Sequence, residues 1–168
     1  MKLAYHNDRF DNALLNKSVS EILAANTLMS MATVKKGQSY INTAYYAYNN
    51  ELEIFFLSPP KSQHCLHLKN EPSVALSIYD SHQDWTKEKR GLQLFGTCQP
   101  VNALELLEAG RLYAGRFVGF KEILPSIKDI AKVMESRFYK VETKSLQIFD
   151  EVLLEEDLFL FIDRFSKG

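Results

Sequence analysis

The chain has little of what several specialised protein classes need. It contains only two cysteines, Cys65 and Cys98, among 168 residues. Two cysteines make no disulfide framework and lack the spacing of a zinc site, so we expect reduced thiols and a cytoplasmic location. With 20 Lys and Arg against 21 Asp and Glu, no excess of one charge favours nucleic acid or an anionic membrane as a partner.

Long hydrophobic runs and glycine-rich signatures are missing too. No apolar run approaches the length of a membrane span, and the start, MKLAYHNDRF, has no apolar core of the kind a secretory signal carries. No Gly-x-Gly-x-x-Gly or Gly-x-Ser-x-Gly occurs, so a Rossmann site and a nucleophile elbow have no support. Gly110 and Gly115 stand at P-loop spacing, but Arg116-Phe117 replaces the required Lys-Ser/Thr.

The patterns that are present predict a single α+β domain over residues 1–168, with residues 1–17 as an N-terminal arm or short helix. A capping box, Ser18 with Glu21, is predicted to open the first helix. Gly37 and Asn49-Asn50 are predicted hairpin turns, and Gly96 predicts a bulge. Strands are predicted at 28–36, 39–50, 51–58, 73–80, 91–101, 137–150 and 157–165, and further helices at 61–70, 102–117 and 125–136. Short loops favour antiparallel pairing, and six or seven such strands favour a barrel.

A polar segment between two apolar strands, FFLSPPKSQHCLHLKNEPSVALSI, admits two interpretations. If the helix begins at Pro60, the amides of Lys61, Ser62 and Gln63 lack partners and form a phosphate site. Alternatively, Ser62 caps a helix that begins at Gln63. The residues alone leave both interpretations open.

Other polar residues of this segment predict no catalytic or metal site. His64 and His67 share a helix face around Cys65, but no further ligand cluster accompanies them, so we predict no metal site and partly exposed histidines. Cys98 is predicted to be a small buried thiol on a strand. No pair of carboxylates indicates a general acid and base, so no catalytic residue is assigned.

Taken in order, Ser58, KSQH, a helix, NEP, a strand and RGLQLFG resemble the pyridoxamine 5′-phosphate oxidase-like superfamily of FMN-binding split β-barrels, over about residues 18–101. GRLYAGRF and RFYKVETKSLQIFD resemble a subgroup of its small bacterial members. The resemblance implies an antiparallel split β-barrel of six to seven strands with flanking helices. It also implies a homodimer with FMN at the subunit interface.

The resemblance also implies which residues bind the cofactor. Asn42, Thr43, Ala44 and Tyr45 would lie beside the flavin ring, and Leu57, Ser58, Lys61, Ser62, Gln63 and His64 would hold the phosphate. Many family members have Arg-Lys where this chain has Gln63-His64, which leaves Lys61 and, at low pH, His64 as cations. Trp85 and Arg116 are candidates for the outer wall of the groove, with a packing tryptophan and a surface arginine as the alternatives.

By resemblance, the protein is an FMN-dependent oxidoreductase in which the flavin carries the chemistry. The Arg-x-His and Arg-Leu-x-Pro motifs of true pyridoxamine phosphate oxidases do not occur, so vitamin B6 oxidation is not expected. Two alternatives remain on the same fold. One is a non-catalytic module that holds haem or another cofactor, and the other is a structural dimer whose interface uses the aromatic residues between Tyr40 and Tyr48.

Overall fold

The computed structural model describes residues 1–123, 137–155, 158–163 and 165–167. The strands are β1 Leu3–Tyr5, β2 Leu28–Lys35, β3 Gln38–Tyr45, β4 Ala47–Tyr48, β5 Glu53–Ser58, β6 Ser73–Tyr79, β7 Arg90–Pro100, β8 Arg137–Asp150, β9 Phe159–Ile162 and β10 Phe165–Lys167. The helices are α1 Asn12–Ala25, α2 Gln63–Leu68, α3 Ala103–Arg116 and α4 Val118–Ile123. The predicted helix at 125–136 lies outside the described residues.

A curled antiparallel sheet forms the body of the protein, with strand order β3-β2-β6-β7-β8-β5-β4 and β9 paired to β8. The predicted α+β fold with an antiparallel split β-barrel is confirmed. Its inward side chains alternate along each strand and build the main core, to which α1 adds Leu15, Val19, Ile22 and Leu23. β1 and β10 form a separate two-stranded ribbon.

Two hairpins show how turns set the register. Lys36 and Gly37 both have positive φ, 53° and 77°, which matches the twist of the β2–β3 hairpin and confirms the predicted turn. Between β4 and β5, however, the positive φ falls on the buried Leu52 rather than on an asparagine. Asn49 stabilises this turn through its side chain instead of through a left-handed backbone, because its Oδ1 accepts hydrogen bonds from the amides of Glu51 and Glu53, both at 3.0 Å.

The predicted bulge at Gly96 is confirmed. The register between β7 and β8 shifts between Phe95 and Gly96. A Cβ at Gly96 would lie 2.1 Å from the backbone oxygen of Glu142, so only glycine allows the two strands this close approach.

The start of the first helix was predicted wrongly. α1 begins at Asn12 and is capped by Asp11, whose side chain accepts from the Leu14 amide at 2.8 Å. Ser18 lies within the helix, fully buried, and its Oγ donates to Asp150 at 2.5 Å. A serine in this position satisfies a buried carboxylate instead of a helix end. Residues 1–17 therefore contain β1 and the first turns of α1.

Asn102 caps α3 through a capping box with Glu105, and Leu104 and Leu107 on this helix are 88% and 81% exposed. The predicted strands at 39–50 and 157–165 are each divided, into β3 with β4 and β9 with β10. Among the described helices, none combines the length and apolarity that crossing a membrane requires.

Candidate functional site

A cavity of about 350 Å³ opens at the split of the sheet, between the edge strand β3 and the end of β5. Its lining residues are Asn42, Thr43, Ala44, Tyr45, Leu57, Ser58, His64 and Tyr113. All but Tyr113 belong to the set implied by the resemblance, so the fold brings both halves of that set to one place. Lys61, Ser62 and Gln63 do not line the cavity.

Two hydroxyls and an imidazole form a cluster at one end of the cavity. Ser58 Oγ lies 2.7 Å from His64 Nε2, and Ser62 Oγ lies 3.1 Å from each of these two atoms. Ser58 and His64 are buried, and Ser62 is partly buried. β5 ends at Ser58 and α2 begins five residues later, so the Pro59-Pro60 turn folds the helix start back onto the strand.

Neither sequence interpretation of this turn was fully right. The helix begins at Gln63, with Ser62 in the extended N-cap conformation, and the Ser62 amide donates to the Pro59 carbonyl at 2.9 Å. The expected row of open amides from Lys61 is therefore wrong. The Ser62 side chain, however, makes no capping hydrogen bond and points to Ser58 and His64 instead.

The remaining predicted phosphate residues, Lys61 and Gln63, are not part of the cluster. Lys61 is exposed. Gln63 Nε2 lies 2.8 Å from His67 Nε2, and His67 Nδ1 lies 3.2 Å from Thr33 Oγ1. His64 and His67 are both buried, so the expectation of partly exposed histidines was wrong. In the described ranges, no three His, Cys, Asp or Glu side chains could share a metal ion.

Two polar atoms at the cavity have no hydrogen-bond partner among the described residues. These are Asn42 Oδ1, on β3, and His64 Nδ1, on α2. Both atoms are buried, and both residues line the cavity. A buried polar atom without a partner costs about 1–3 kcal/mol, so such atoms indicate a place where a polar ligand is stabilising.

The thiol of Cys65 lies next to the cluster in the core. Burial raises its pKa, but the nearby polar groups of His64, Ser62, Tyr139 and Ser58 favour the thiolate more strongly and bring the pKa to about 7. Cys98 is buried on β7, as predicted, and burial raises the pKa of its thiol. Both cysteines are free.

Tyr113 is the cavity residue that sequence reasoning missed. Its hydroxyl donates to the Tyr45 carbonyl at 2.5 Å, which ties α3 to the end of β3. Its ring packs against Phe117, Phe120 and Phe138 in a second hydrophobic cluster. Ala109 and Tyr113, the buried residues of α3, are four residues apart on one helix face, a spacing that indicates a packed side of the helix but not the contact with Tyr45.

The two candidates for the outer wall of the groove lie elsewhere. Trp85 is 85% exposed, and its ring contacts Lys89, with Nζ 5.4 Å from the ring centroid. Arg116 donates to the carbonyls of Leu23 and Asn26 at the C-terminal end of α1, and its guanidinium lies over the Tyr46 ring at 4.9 Å. Arg116 therefore caps a helix and does not line the cavity.

Beside the cavity, one region of the outward side of the sheet carries only uncharged side chains; we name it the uncharged face. It consists of Ile41, Thr43 and Tyr45 on β3, Leu28, Ser30 and Ala32 on β2, Ala75, Ser77 and Tyr79 on β6, Gly91, Gln93 and Phe95 on β7, Ser145, Gln147 and Phe149 on β8, and Phe159 and Phe161 on β9. Ile41, Tyr45, Tyr79, Phe159 and Phe161 are each more than half exposed. Thr43 and Tyr45 also line the cavity, so the two features are continuous.

Comparisons with known proteins identify the family that this chain matches. A family model described as pyridoxamine 5′-phosphate oxidase matches residues 15–142. A search of curated proteins found no match.

Solved structures share the fold at low sequence identity. The protein Atu2129 of unknown function from Agrobacterium tumefaciens has a TM-score of 0.64 at 16% identity; the match covers 83% of this chain but only 57% of that one. A FAD-binding protein from Mesorhizobium loti has a TM-score of 0.58 at 15% identity, covering 76% and 87% of the two chains. The haem storage protein HutZ from Vibrio cholerae has a TM-score of 0.61 at 17% identity, covering 77% and 91%.

Proposed function

The chain belongs to the pyridoxamine 5′-phosphate oxidase family of split β-barrels, and we propose that it is a homodimeric, FMN-dependent oxidoreductase. The observation that carries this proposal is the cavity between β3 and β5. It joins a strand edge suited to a planar ring with a cluster of two hydroxyls and an imidazole suited to a phosphate.

The residues present fit a flavin. Asn42 Oδ1 is a buried acceptor without a donor, and an isoalloxazine ring offers an N–H group as well as carbonyl acceptors. Ala44 and Leu57 give the cavity apolar wall, as is usual in cofactor sites. On this proposal Asn42, Thr43, Ala44 and Tyr45 hold the ring, and Leu57 lies between ring and phosphate.

The phosphate is proposed to bind at the cluster of Ser58, Ser62 and His64. Hydroxyl donors form charge-assisted hydrogen bonds with phosphate oxygens. Lys61, exposed on the same turn, adds a nearby positive charge. Gln63 is proposed to contribute indirectly, through the contact of its side chain with His67.

When bound, FMN would supply hydride or electron transfer, which explains why no acid–base pair is needed from the chain. The chain's own residues would anchor the phosphate, orient the ring against β3 and exclude water from it. Tyr113 positions the β3 side of the cavity, since its hydroxyl donates a hydrogen bond to the Tyr45 carbonyl.

A second copy of the chain is the proposed partner of the uncharged face. This face exposes the large apolar side chains Leu28, Ile41, Tyr45, Tyr79, Phe159 and Phe161 without any charge among them, and an exposed apolar patch of this kind is typical of an interface. Because Thr43 and Tyr45 belong to both the uncharged face and the cavity, a partner on this face would cover the cavity mouth. The flavin would then lie between the two subunits.

Haem is the second candidate ligand. His64 lines the cavity and has a ring nitrogen without a partner, and imidazole is a common axial ligand of haem iron. The loss of the Arg-Lys pair also weakens the case for a strong phosphate site. Flavin remains the preferred ligand because the hydroxyl cluster suits a phosphate and offers nothing to an iron atom.

The experiment is a titration of the purified protein with FMN, riboflavin and haem, followed by visible absorbance and thermal unfolding. FMN at a hundred times its Kd should raise the free energy of unfolding by about 2.7 kcal/mol. Ala44→Phe, which fills the cavity, should abolish this gain, and Ala13→Phe, at an exposed position of α1, should preserve it. A Soret band that survives gel filtration, without FMN binding, would favour haem; failure of FMN to bind or stabilise would refute the flavin proposal.

A further inference from the structure

We propose that His64 is the charged group of the phosphate end of the cavity, and that its imidazole takes up a proton when FMN binds. This inference rests on the proposed function, because it requires the FMN phosphate to bind at Ser58, Ser62 and His64. It goes beyond that function by stating how a site without the family's usual Arg-Lys pair acquires its positive charge.

His64 is the one cavity-lining side chain, among the described residues, that can carry a positive charge. The other lining residues are uncharged or are phenols. Lys61 is exposed and lies outside the lining. A phosphate in this cavity therefore meets hydroxyls and one imidazole, and a positive charge on that imidazole would act on it directly.

Protonation would also fix the direction of the hydrogen bonds in the cluster, which in a neutral ring depends on the tautomer. In a neutral ring, one nitrogen donates and the other accepts. If Nε2 accepts, it takes up the hydroxyl hydrogen of Ser58 at 2.7 Å or of Ser62 at 3.1 Å, and that hydrogen is lost to a ligand. Once Nε2 carries a proton, both hydroxyl oxygens accept from it, and both hydroxyl hydrogens are free to donate to the phosphate.

The titratable and charged groups beside His64 come from α2, β8 and β3. On α2, burial raises the pKa of Cys65, but the polar groups of His64 and its neighbours outweigh burial and bring the pKa to about 7. From β8, burial raises the pKa of Tyr139, which stays neutral, and Arg137 pairs in register with Ser58. From β3, the uncharged ring of Tyr40 stacks on His64 at 6.5 Å.

These charges predict how phosphate recognition depends on pH. The second ionisation of a phosphate monoester occurs near pH 6, and imidazoles titrate near pH 6.5 when unperturbed. Above about pH 7 the phosphate is fully ionised, and each proton taken up on binding lowers the affinity tenfold per pH unit. The affinity of FMN relative to riboflavin should therefore fall up to about tenfold per unit above neutrality. Riboflavin alone, which has no phosphate, should bind with little dependence on pH.

The test is calorimetry of FMN and riboflavin binding at pH 7.5, in two buffers with different heats of ionisation, which counts the protons taken up. Wild type should take up close to one proton with FMN and about none with riboflavin. His64→Gln should abolish the uptake and flatten the FMN-to-riboflavin ratio between pH 7 and pH 8.5. His82→Gln is the matched control, because this histidine is exposed in the 80–89 loop and should change nothing.

Since His64 is buried, an NMR titration of its imidazole in the wild-type protein, with and without FMN, provides a second readout. The ring should stay protonated to a higher pH in the complex than in the free protein. If FMN binds without proton uptake, or His64→Gln takes up as many protons as wild type, the proposal is wrong and the proposed function stands. If wild type binds no FMN at any pH, both are wrong.

Discussion

Replacing Ser62 by alanine separates phosphate binding from folding. Ser62 is the N-cap residue of α2, but its side chain makes no capping hydrogen bond, so the usual loss of about 1 kcal/mol for removing a cap does not arise. Its two neighbours keep their direct contact, because Ser58 Oγ lies 2.7 Å from His64 Nε2. We therefore expect Ser62→Ala to change the free energy of unfolding by less than about 1 kcal/mol.

The same replacement should weaken FMN far more than riboflavin. A hydroxyl hydrogen bond to a phosphate oxygen is charge-assisted and contributes about 1.5–3 kcal/mol to binding. Its loss in Ser62→Ala should therefore raise the Kd of FMN roughly ten- to a hundredfold. Riboflavin offers the same ring without the phosphate, so its Kd should stay the same. Fluorescence titration measures both, with the exposed Ser81→Ala as a matched control. An equal loss for both flavins, or no loss for FMN, would refute this location of the phosphate.

Three further replacements test the interface and the fold. Gln93→Lys places a charge in the uncharged face and should shift the mass measured by light scattering from dimer to monomer. Gln99→Lys, on the same strand but outside the uncharged face, should leave the mass unchanged. If Gln93→Lys also stays a dimer, the uncharged face is not the interface. Gly96→Ala would place its Cβ 2.1 Å from the Glu142 backbone oxygen and should lower the free energy of unfolding, measured in urea, by about 3 kcal/mol. Gly110→Ala has open space around it and should not destabilise the protein, so equal stability of the two variants would contradict the bulge geometry. Arg116→Leu should lower the free energy of unfolding by about 1.5–3 kcal/mol, because it removes the charged donor from the Leu23 and Asn26 carbonyls and leaves them only the Tyr46 hydroxyl. FMN affinity should change little, and a selective loss of FMN binding would show that Arg116 belongs to the site.

Local chemistry in the sequence predicted most of the sheet. The turn at Gly37 requires a positive φ, and the bulge at Gly96 requires a close approach of two strands. Because few residues other than glycine allow either, the glycine itself was enough to predict both features. The start of α1 was missed because Asp11 and Ser18 are both good caps. The choice between them depends on Asp150, a partner 132 residues along the chain from Ser18 that periodicity does not reveal.

The site was predictable in its parts but not in its details. The resemblance supplied Ser58 and His64, and the sequence showed two prolines that force a turn between them. It could not show that the Ser62 hydroxyl turns away from the helix end, because that depends on the buried imidazole beside it. Tyr113 was missed because its role arises from contact with Tyr45, on an element far away in sequence.

The central claim is that the cavity between β3 and β5 binds FMN through its phosphate. The most direct test is to measure the visible absorbance of the freshly purified protein and to identify any ligand released when it is unfolded. We predict a yellow protein that releases FMN in up to one equivalent per chain, and a colourless preparation that regains flavin absorbance on addition of FMN would agree. A preparation that stays colourless after incubation with FMN and gel filtration would contradict the claim.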